Sequence, residues 1–364
     1  MNSAADRAFM QRAIQLGAEG SRAVRPNPRV GCVLVRDGVV VGEGFHAVVG
    51  GPHAEAVALE VAGDRARGAT AYVTLEPCNH FGRTPPCAQA LIAAGVARVV
   101  IAVRDPHPEA SGGVETLRAA GVAVTTDVLT VEAGDLAEVF LTGVRHRRAF
   151  VQLKTAITAD GRVAADDGTT RWISGPQARL QVHIWRAEAD AVLIGAGTAL
   201  ADNPRLDCRD LPQPATHLPV RVVLDRRVRL PLESHLAETT AQRTLVITDD
   251  FAHATSSHAE ALRQRGVEIV RVPPSEAWLA DVLRLLLQRG LHHVLCEGGP
   301  TLATALWRAA LVDRMDLILA PKLLGSGTPW LQPLGLTTLD AARPLRWTGV
   351  AQLGDDVWLT ARPR

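Results

Sequence analysis

A histidine, a glutamate and two cysteines in the first quarter of the chain have the types and order of a zinc hydrolase site. They are His53, Glu55, Cys78 and Cys87. One imidazole and two thiolates supply three zinc ligands, and a site without a fourth protein ligand leaves room for a water that zinc acidifies. A nearby carboxylate is then needed to carry a proton to the leaving nitrogen. We therefore predict His53, Cys78 and Cys87 as metal ligands and Glu55 as the catalytic residue.

The spacing of the two cysteines departs from the generic zinc deaminase signature. That signature is H-x-E followed by P-C-x-x-C, whereas eight residues, 79 to 86, separate Cys78 from Cys87. A structural zinc with a fourth ligand is therefore an alternative. Cys32, His46 and His80 are candidates for that ligand; we expect core packing for Cys32 and substrate contacts for the histidines.

The elements that must position these residues are two helices and a strand. Prolines open predicted helices over 52–62 and 86–94, since proline is favoured at the first helical position. This places His53 and Cys87 in first turns, where the helix dipole favours a thiolate. Cys78 follows a predicted strand, 71–75, in a loop that can face the same point.

Strands and helices alternate along the rest of the chain, which predicts an α/β fold. An Asp-Gly pair between the apolar runs 30–35 and 39–42 predicts a β-hairpin, and a single helix is expected over 131–144. A new strand-rich series begins after a basic run near 145–148, where we place a domain boundary.

A second candidate site is a glycine turn late in the chain. Glu297-Gly298-Gly299-Pro300-Thr301 joins a predicted strand to a predicted helix. Paired glycines let backbone N–H groups approach a phosphate at a helix N-terminus. G-x-G-x-x-G is absent from this half, so a Rossmann dinucleotide fold is not supported.

Several motifs along the whole chain resemble one family, the bifunctional riboflavin-biosynthesis deaminase–reductases. In the first half the resemblance rests on residues 25–32, 42–46 and 75–78 and on the long spacer 79–86. In the second half it rests on residues 152–154, 160–162, 172–174, 201–204, 297–301 and 320–325. It extends from about residue 6 to 360.

The resemblance implies a cytidine-deaminase-like three-layer domain over residues 1–147 and a dihydrofolate-reductase-like α/β domain over 148–364. It implies that zinc in the first domain deaminates 2,5-diamino-6-(5-phosphoribosylamino)pyrimidin-4-one. The second domain would then use NADPH to reduce the ribosyl side chain of the product to ribityl.

The resemblance also implies a set of contact residues. Those for substrate are Asn27, His46, Arg83, Lys154, Thr170, Arg186, Leu206, Arg209 and Glu297. Those for the nucleotide cofactor are Ala156, Trp172, Thr198, Asp202, Gly299, Pro300 and Thr301. Arg226 stands where the family often has serine, and we expect Arg226 or Arg227 to meet the 2′-phosphate of NADPH.

Length and composition limit the number of domains and the class of protein. The chain has 364 residues, a length that suits two domains. Its formal net charge is only +1 and 4% of its residues are aromatic. These values disfavour a nucleic-acid base deaminase, which would need a basic groove with aromatic side chains to bind a single strand. Five cysteines are too few for a disulfide framework. We expect a cytoplasmic enzyme that has no membrane or nucleic-acid partner and forms a homo-oligomer. A non-enzymatic zinc-stabilised binding protein, or an enzyme with one degenerate domain, are the remaining alternatives.

Overall fold

The computed structural model describes residues 3–80 and 85–364, and the chain divides into two compact units, Met1–Arg147 and Arg148–Arg364. Each unit is built on its own β-sheet. Within the described residues no helix is both long and apolar enough to cross a membrane.

The first unit has a five-stranded sheet with helices on both faces. Its strands are β1 (Gly31–Arg36), β2 (Val39–Phe45), β3 (Thr70–Leu75), β4 (Arg98–Val103) and β5 (Ala123–Thr125). Its helices are α1 (Ala4–Ala18), α2 (Ala54–Ala62), α3 (Cys87–Ala93), α4 (Gly113–Ala119), α5 (Thr130–Leu136) and α6 (Glu138–His146). The strand order is β2-β1-β3-β4-β5, with β3, β4 and β5 parallel and β1 antiparallel to both of its neighbours.

Alternate residues of these strands face two separate cores. Cys32 and Leu34 pack with α2, α3 and α4, whereas Val33 and Val35 pack with α1, α5 and α6. Successive side chains of a strand point to opposite faces, so helices on both faces complete the predicted three-layer arrangement.

The second unit has a nine-stranded sheet and a small two-stranded one. Its strands are β6 (Phe150–Thr158), β7 (Arg162–Ala164), β8 (Ala191–Gly195), β9 (Val220–Leu224), β10 (Thr244–Thr248), β11 (Glu268–Arg271), β12 (His293–Cys296), β13 (Arg314–Ala320), β14 (Thr328–Pro329), β15 (Leu345–Leu353) and β16 (Asp356–Pro363). Its helices are α7 (Pro176–Glu188), α8 (Ala196–Asp202), α9 (Phe251–Ala254), α10 (Ser257–Gln264), α11 (Trp278–Gln288) and α12 (Pro300–Arg308).

The large sheet runs β11-β10-β9-β8-β12-β6-β13-β16-β15, and β7 pairs with β14. All neighbours from β11 to β13 are parallel, and the final hairpin is antiparallel. Ligands of open α/β sheets bind beyond the carboxyl ends of the parallel strands. The adjacent strands β8, β12 and β6 therefore define the edge where a site is expected.

Several local predictions are confirmed and others are wrong. The hairpin turns at Asp37 and Gly38, both with positive φ, as a two-residue turn of this kind requires. The single helix expected over 131–144 is two helices, α5 and α6, because the backbone leaves helical geometry at Ala137. Helix α8 was not predicted, since its seven residues are too few to show a helical period.

Candidate active sites

The first site is a cluster of one histidine and two cysteines. Ligand atoms of His53, Cys78 and Cys87 all lie within 4.8 Å of one another. The Nδ1 atom of His53 is 3.3 Å from the Cys87 sulfur and 3.6 Å from the Cys78 sulfur. Two sulfurs and one imidazole nitrogen this close together can supply three of the four ligands of a tetrahedral metal ion.

The two helices that carry these ligands begin later than predicted, α2 by two residues and α3 by one. Helix α2 begins at Ala54, so His53 is its extended N-cap residue rather than part of the first turn, and α3 begins at Cys87 with Pro86 as its N-cap. Proline therefore precedes the first helical position in both cases. Cys78 follows β3, and its carbonyl accepts a hydrogen bond from the Ala88 N–H at 3.2 Å. That bond fastens the Cys78 loop to the start of α3.

The two thiols differ in their affinity for the proton. The pKa of Cys78 falls to about 4, chiefly because its sulfur accepts a hydrogen bond from the Cys87 thiol and also faces His53. The same hydrogen bond raises the pKa of Cys87 above its usual value. The lowered pKa of Cys78 favours its thiolate, which is the form that binds a metal ion.

Glu55 lies in the first turn of α2, two residues from His53, and only 4% of it is exposed. Burial raises the pKa of its carboxyl to about 7, although the neighbouring His53 opposes this effect. A carboxyl with a pKa near the working pH can both accept and release a proton.

The alternative ligands do not join this cluster among the described residues. Cys32 is fully buried in the core formed with α2 and α3. His46 is buried, and its two ring nitrogens contact Asn27 and the Pro52 carbonyl rather than the cluster. His80 is exposed. Arg83 lies outside the described residues. Three ligands without a fourth match the open arrangement of a catalytic zinc site.

Asn27 and His46 lie side by side near this cluster. The Asn27 amide nitrogen is 3.2 Å from Nε2 of His46, and Nδ1 of His46 is 2.9 Å from the Pro52 carbonyl oxygen. The His46 and His53 rings meet edge to face, with centroids 5.3 Å apart. Burial lowers the pKa of His46.

The sequence analysis did not single out Glu76, although Glu76 lies within the motif at residues 75–78. The Glu76 carboxylate is fully buried and accepts hydrogen bonds from Nε of Arg104 at 2.7 Å and from three backbone N–H groups, at Asp105, Gly112 and Val114. These bonds tie the segment that carries Cys78 to the loop before α4. The sequence signal that could have identified Glu76 is its position two residues before the predicted metal ligand Cys78.

The second site is centred on a buried ion pair between α7 and the residue after β12. Arg186 donates from Nε and Nη2 to the two carboxylate oxygens of Glu297, at 2.6 and 3.0 Å, and only 12% and 10% of these side chains are exposed. Burial would raise the pKa of Glu297, but Arg186 outweighs it and the pKa lies below its usual value. Burial lowers the pKa of Lys154, which Glu297 opposes.

A loop after α8 adds polar groups to this ion pair. Nη1 of Arg186 donates to the Asp207 carbonyl at 3.1 Å, and His183 donates from Nδ1 to the same oxygen at 3.0 Å. Arg209 pairs with the Asp207 carboxylate while remaining exposed. His183 was missed from sequence because a histidine inside a helical pattern carries no signal of its role.

The glycine turn lies beside the start of α8. The Gly299 N–H donates to Oγ1 of Thr198 at 3.1 Å, and Gly299 is the N-cap of α12 with Pro300 next. Thr301 follows in the first turn and is exposed. The turn after β8 and the turn after β12 therefore meet, and first-turn N–H groups, which lack helical partners, point towards the same edge.

Two further predicted cofactor contacts, Trp172 and Asp202, lie in segments that are joined by hydrogen bonds. Its ring is 58% exposed, and the Arg179 guanidinium lies 4.5 Å from the ring centroid. Arg171 donates to the Asp202 carbonyl at 2.7 Å, which joins this loop to the end of α8. Lys322 donates to the Trp172 carbonyl at 2.6 Å.

The remaining predicted contacts are more scattered. Thr170 is exposed next to this loop, and Ala156 is half-buried in β6. Leu206 has its side chain in the hydrophobic core with 3% exposed, so only its main chain can face a ligand. Arg226 is bound by Asp249 at 2.9 Å and stacks on Trp278, whereas Arg227 is exposed and has no side-chain partner in the described part of the chain.

Taken together, fold and sites define a class: a zinc-type nucleotide deaminase domain followed by a reductase domain of the dihydrofolate reductase type. Residues 3–103 match the cytidine and deoxycytidylate deaminase zinc-binding region, and residues 149–359 match the RibD C-terminal domain.

The chain belongs to the RibD family of riboflavin biosynthesis proteins. It is 40% identical over 361 residues to RibD of Escherichia coli and 39% identical over 353 residues to that of Aquifex aeolicus, covering 97% of this chain and 98% and 97% of the relatives. RibD of Acinetobacter baumannii has a similar structure, with a TM-score of 0.82, 38% identity and 99% of each chain covered. The diaminohydroxyphosphoribosylaminopyrimidine deaminase/5-amino-6-(5-phosphoribosylamino)uracil reductase of Thermotoga maritima is similar at a TM-score of 0.81, 37% identity and 99% of each chain.

The protein is therefore a bifunctional enzyme of riboflavin biosynthesis with a deaminase domain and a pyrimidine reductase domain. The predicted family and fold class are confirmed. The nucleic-acid deaminase and non-enzymatic alternatives are not supported by these full-length relatives. The family matches imply zinc in the first domain and a nicotinamide cofactor in the second.

Proposed function

We propose that the unit of residues 1–147 hydrolyses an amino group from 2,5-diamino-6-(5-phosphoribosylamino)pyrimidin-4-one. We propose that residues 148–364 then reduce the ribosyl side chain of the product to ribityl with NADPH. The observation that carries this proposal is the meeting of His53, Cys78 and Cys87 beside the buried carboxyl of Glu55.

The donor set of the first site fits zinc. One imidazole and two thiolates are ligands that zinc prefers, and His53, Cys78 and Cys87 would hold it. A zinc ion held there would supply the Lewis acidity that makes a water molecule nucleophilic near neutral pH. Glu55, whose pKa of about 7 suits both steps, takes the proton and delivers it to the leaving nitrogen as ammonia forms.

Other residues of the first unit would hold the substrate. Asn27 offers a carboxamide to the pyrimidine edge beside the metal ligands, and it is supported by His46. We assign Arg83, from the spacer between the cysteines, to the ribose phosphate, because a guanidinium can bind phosphate through two parallel hydrogen bonds.

The second unit offers a polar pocket for the deaminated product. Arg186 and Glu297 pair just after β12, and Lys154, midway along β6, interacts electrostatically with both. Arg209, Thr170 and the Leu206 main chain would complete the site. Charged groups this buried are costly unless they are paired or bind a ligand. The half-buried Lys154 beside a buried, paired glutamate therefore supports substrate binding here.

Two of the proposed cofactor contacts, Thr198 and Gly299, are hydrogen-bonded to each other beyond the ends of β8 and β12. Thr198, Gly299 and the first turn of α12 would hold phosphates, and Asp202, Ala156 and Trp172 would border the rest of the nucleotide. Bound NADPH supplies the hydride, while the protein supplies orientation and electrostatics. Because Asp249 already binds Arg226, we assign the 2′-phosphate to Arg227.

The test is an assay of the purified protein with the diaminopyrimidine ribosyl phosphate, with and without NADPH. We expect ammonia release without NADPH, and NADPH oxidation only after deamination. Oxidation of NADPH by the undeaminated substrate would overturn the order, and absence of ammonia release by the zinc-loaded protein would overturn the first activity. A homo-oligomer and a cytoplasmic location stay predictions.

A further inference from the structure

Both ring nitrogens of His46 lie within hydrogen-bond distance of protein groups, one of them the Asn27 carboxamide. His46 is 3% exposed and is the first residue after β2; its backbone N–H donates to the Val30 carbonyl at 3.0 Å. Its ring lies between two protein groups: Nδ1 is 2.9 Å from the Pro52 carbonyl oxygen, and Nε2 is 3.2 Å from the Asn27 carboxamide. Sequence reasoning treated His46 as a substrate contact, yet both of its ring nitrogens are occupied within the protein.

If His46 is neutral, the chemistry of these groups allows one arrangement. A carbonyl oxygen only accepts, so Nδ1 of His46 must carry the hydrogen. A neutral imidazole has a single N–H, so Nε2 is an acceptor. The Asn27 carboxamide must then turn its NH₂ group towards His46, because its oxygen would meet another acceptor. The Oδ1 atom of Asn27 is consequently directed away from His46, and no donor from the described residues reaches it.

This chain of bonds is anchored beside the metal ligands. Pro52 directly precedes His53, and the His46 and His53 rings are in edge-to-face contact. Because the Pro52 carbonyl can only accept, it determines which nitrogen of His46 carries the hydrogen. His46 in turn determines which group of the Asn27 carboxamide faces its ring, beside the metal ligands. A carboxamide without such a partner can turn over with little change in shape, which exchanges its donor for its acceptor.

We propose that His46 is a positioning residue that fixes the orientation of the Asn27 carboxamide, so that the site presents an acceptor oxygen to an N–H donor on the pyrimidine edge. His46 thus contributes to specificity without touching the substrate. The inference rests on the proposed deaminase function of this site. It explains why a buried histidine beside the metal ligands is not itself a ligand.

The first experiment reads the tautomer directly. Protein labelled with ¹⁵N in histidine and loaded with zinc is examined by long-range ¹H–¹⁵N correlation, and the His46→Gln variant assigns the His46 signals. We expect the neutral Nδ1–H tautomer. An Nε2–H tautomer or an imidazolium would overturn the inference, and this readout is independent of whether the proposed substrate is turned over.

The second experiment separates polarity from packing. Glutamine retains one donor and one acceptor, whereas leucine only fills space. We expect His46→Gln to stay within about threefold of the wild-type kcat/KM for ammonia release and His46→Leu to lose about 10- to 100-fold, the range for leaving buried polar groups unpaired, with one zinc per chain in both. Retained activity in His46→Leu would show a packing role only and overturn the proposal.

The third experiment tests whether His46 acts through Asn27. Asn27→Ala is made in the wild type and in His46→Leu, and the losses in kcat/KM are compared as a double-mutant cycle. We expect Asn27→Ala to cost at least about tenfold in the wild type and less than about threefold in His46→Leu. Additive losses would overturn the proposal. If the wild type released no ammonia, the proposed function would fail instead, and the spectroscopic result would still decide the orientation.

Discussion

Replacement of Asp6 by Asn tests how the first unit is held together. Asp6, in the first turn of α1, accepts two hydrogen bonds from the Arg98 guanidinium at 2.8 and 3.0 Å and one from the Tyr72 hydroxyl at 3.0 Å. Its side chain is 5% exposed and that of Arg98 is 33% exposed. These bonds join α1 to β3 and β4, the strands on which the Cys78 segment depends.

The magnitude follows from the pKa of Asp6. Arg98 lowers that pKa from 3.8 to about 2, against the opposing effect of burial. By linkage this difference corresponds to about 2.4 kcal/mol, and we take about 2 kcal/mol because Arg98 is partly exposed to solvent. Since the folded-state pKa is depressed, this stability is fully present above pH 3.8 and is lost as the pH falls through 2.

The assay uses the distribution of aromatic residues. All seven tryptophans lie in the second unit, whereas Tyr72 is the single tyrosine of the chain. In a denaturant titration, unfolding of the second unit changes tryptophan fluorescence. A transition that is seen by circular dichroism but not by tryptophan fluorescence therefore reports unfolding of the first unit. We expect Asp6→Asn to lower the unfolding free energy of that transition by about 2 kcal/mol or more near pH 7, leaving the tryptophan transition unchanged.

A matched control is Glu43→Gln. Glu43 also makes a two-bond pair with an arginine of α1, Arg12, but there the side chains are 31% and 45% exposed. Exposed pairs contribute about 0–1 kcal/mol. An equal loss for both variants, or a loss for Asp6→Asn that does not shrink as the pH approaches 2, would refute the reasoning that burial gives the Asp6 pair its strength.

The remaining predictions concern the two sites. Glu55→Gln should retain one zinc per chain and lose at least about 100-fold in ammonia release; unchanged turnover with zinc present would contradict the role of Glu55. Glu76→Gln should raise the rate of zinc loss to a chelator about tenfold, because groups that orient metal ligands typically change metal affinity by at least that factor. An unaltered rate would contradict this role of Glu76. Glu297→Gln, measured with deaminated substrate, should lower reductase kcat/KM about 100-fold by leaving buried cations unpaired while ammonia release stays normal. Arg227→Ala should reduce the preference for NADPH over NADH about tenfold, and Arg226→Ala should change it little; the reverse ranking would reassign the 2′-phosphate contact.

Local patterns in the sequence were enough to predict the main candidate residues of the first site. Residue type and order were enough for His53, Glu55, Cys78 and Cys87, because zinc chemistry restricts its ligands to few side chains. The Asp37-Gly38 turn was equally local, since two positive φ values favour those residues. Helix starts were less certain, because prolines are acceptable both before and at the first helical position.

Only the tertiary structure decided which distant residues meet. Arg186 and Glu297 are 111 positions apart, and Asp6 and Arg98 are 92 apart; no periodicity in a sequence encodes such pairs. The same holds for His46, whose two ring nitrogens are occupied by groups from different segments. Residue types can show that a histidine or an arginine is available for chemistry. Its protonation, orientation and partner depend on burial and on the groups placed around it, and those exist only once the chain has folded.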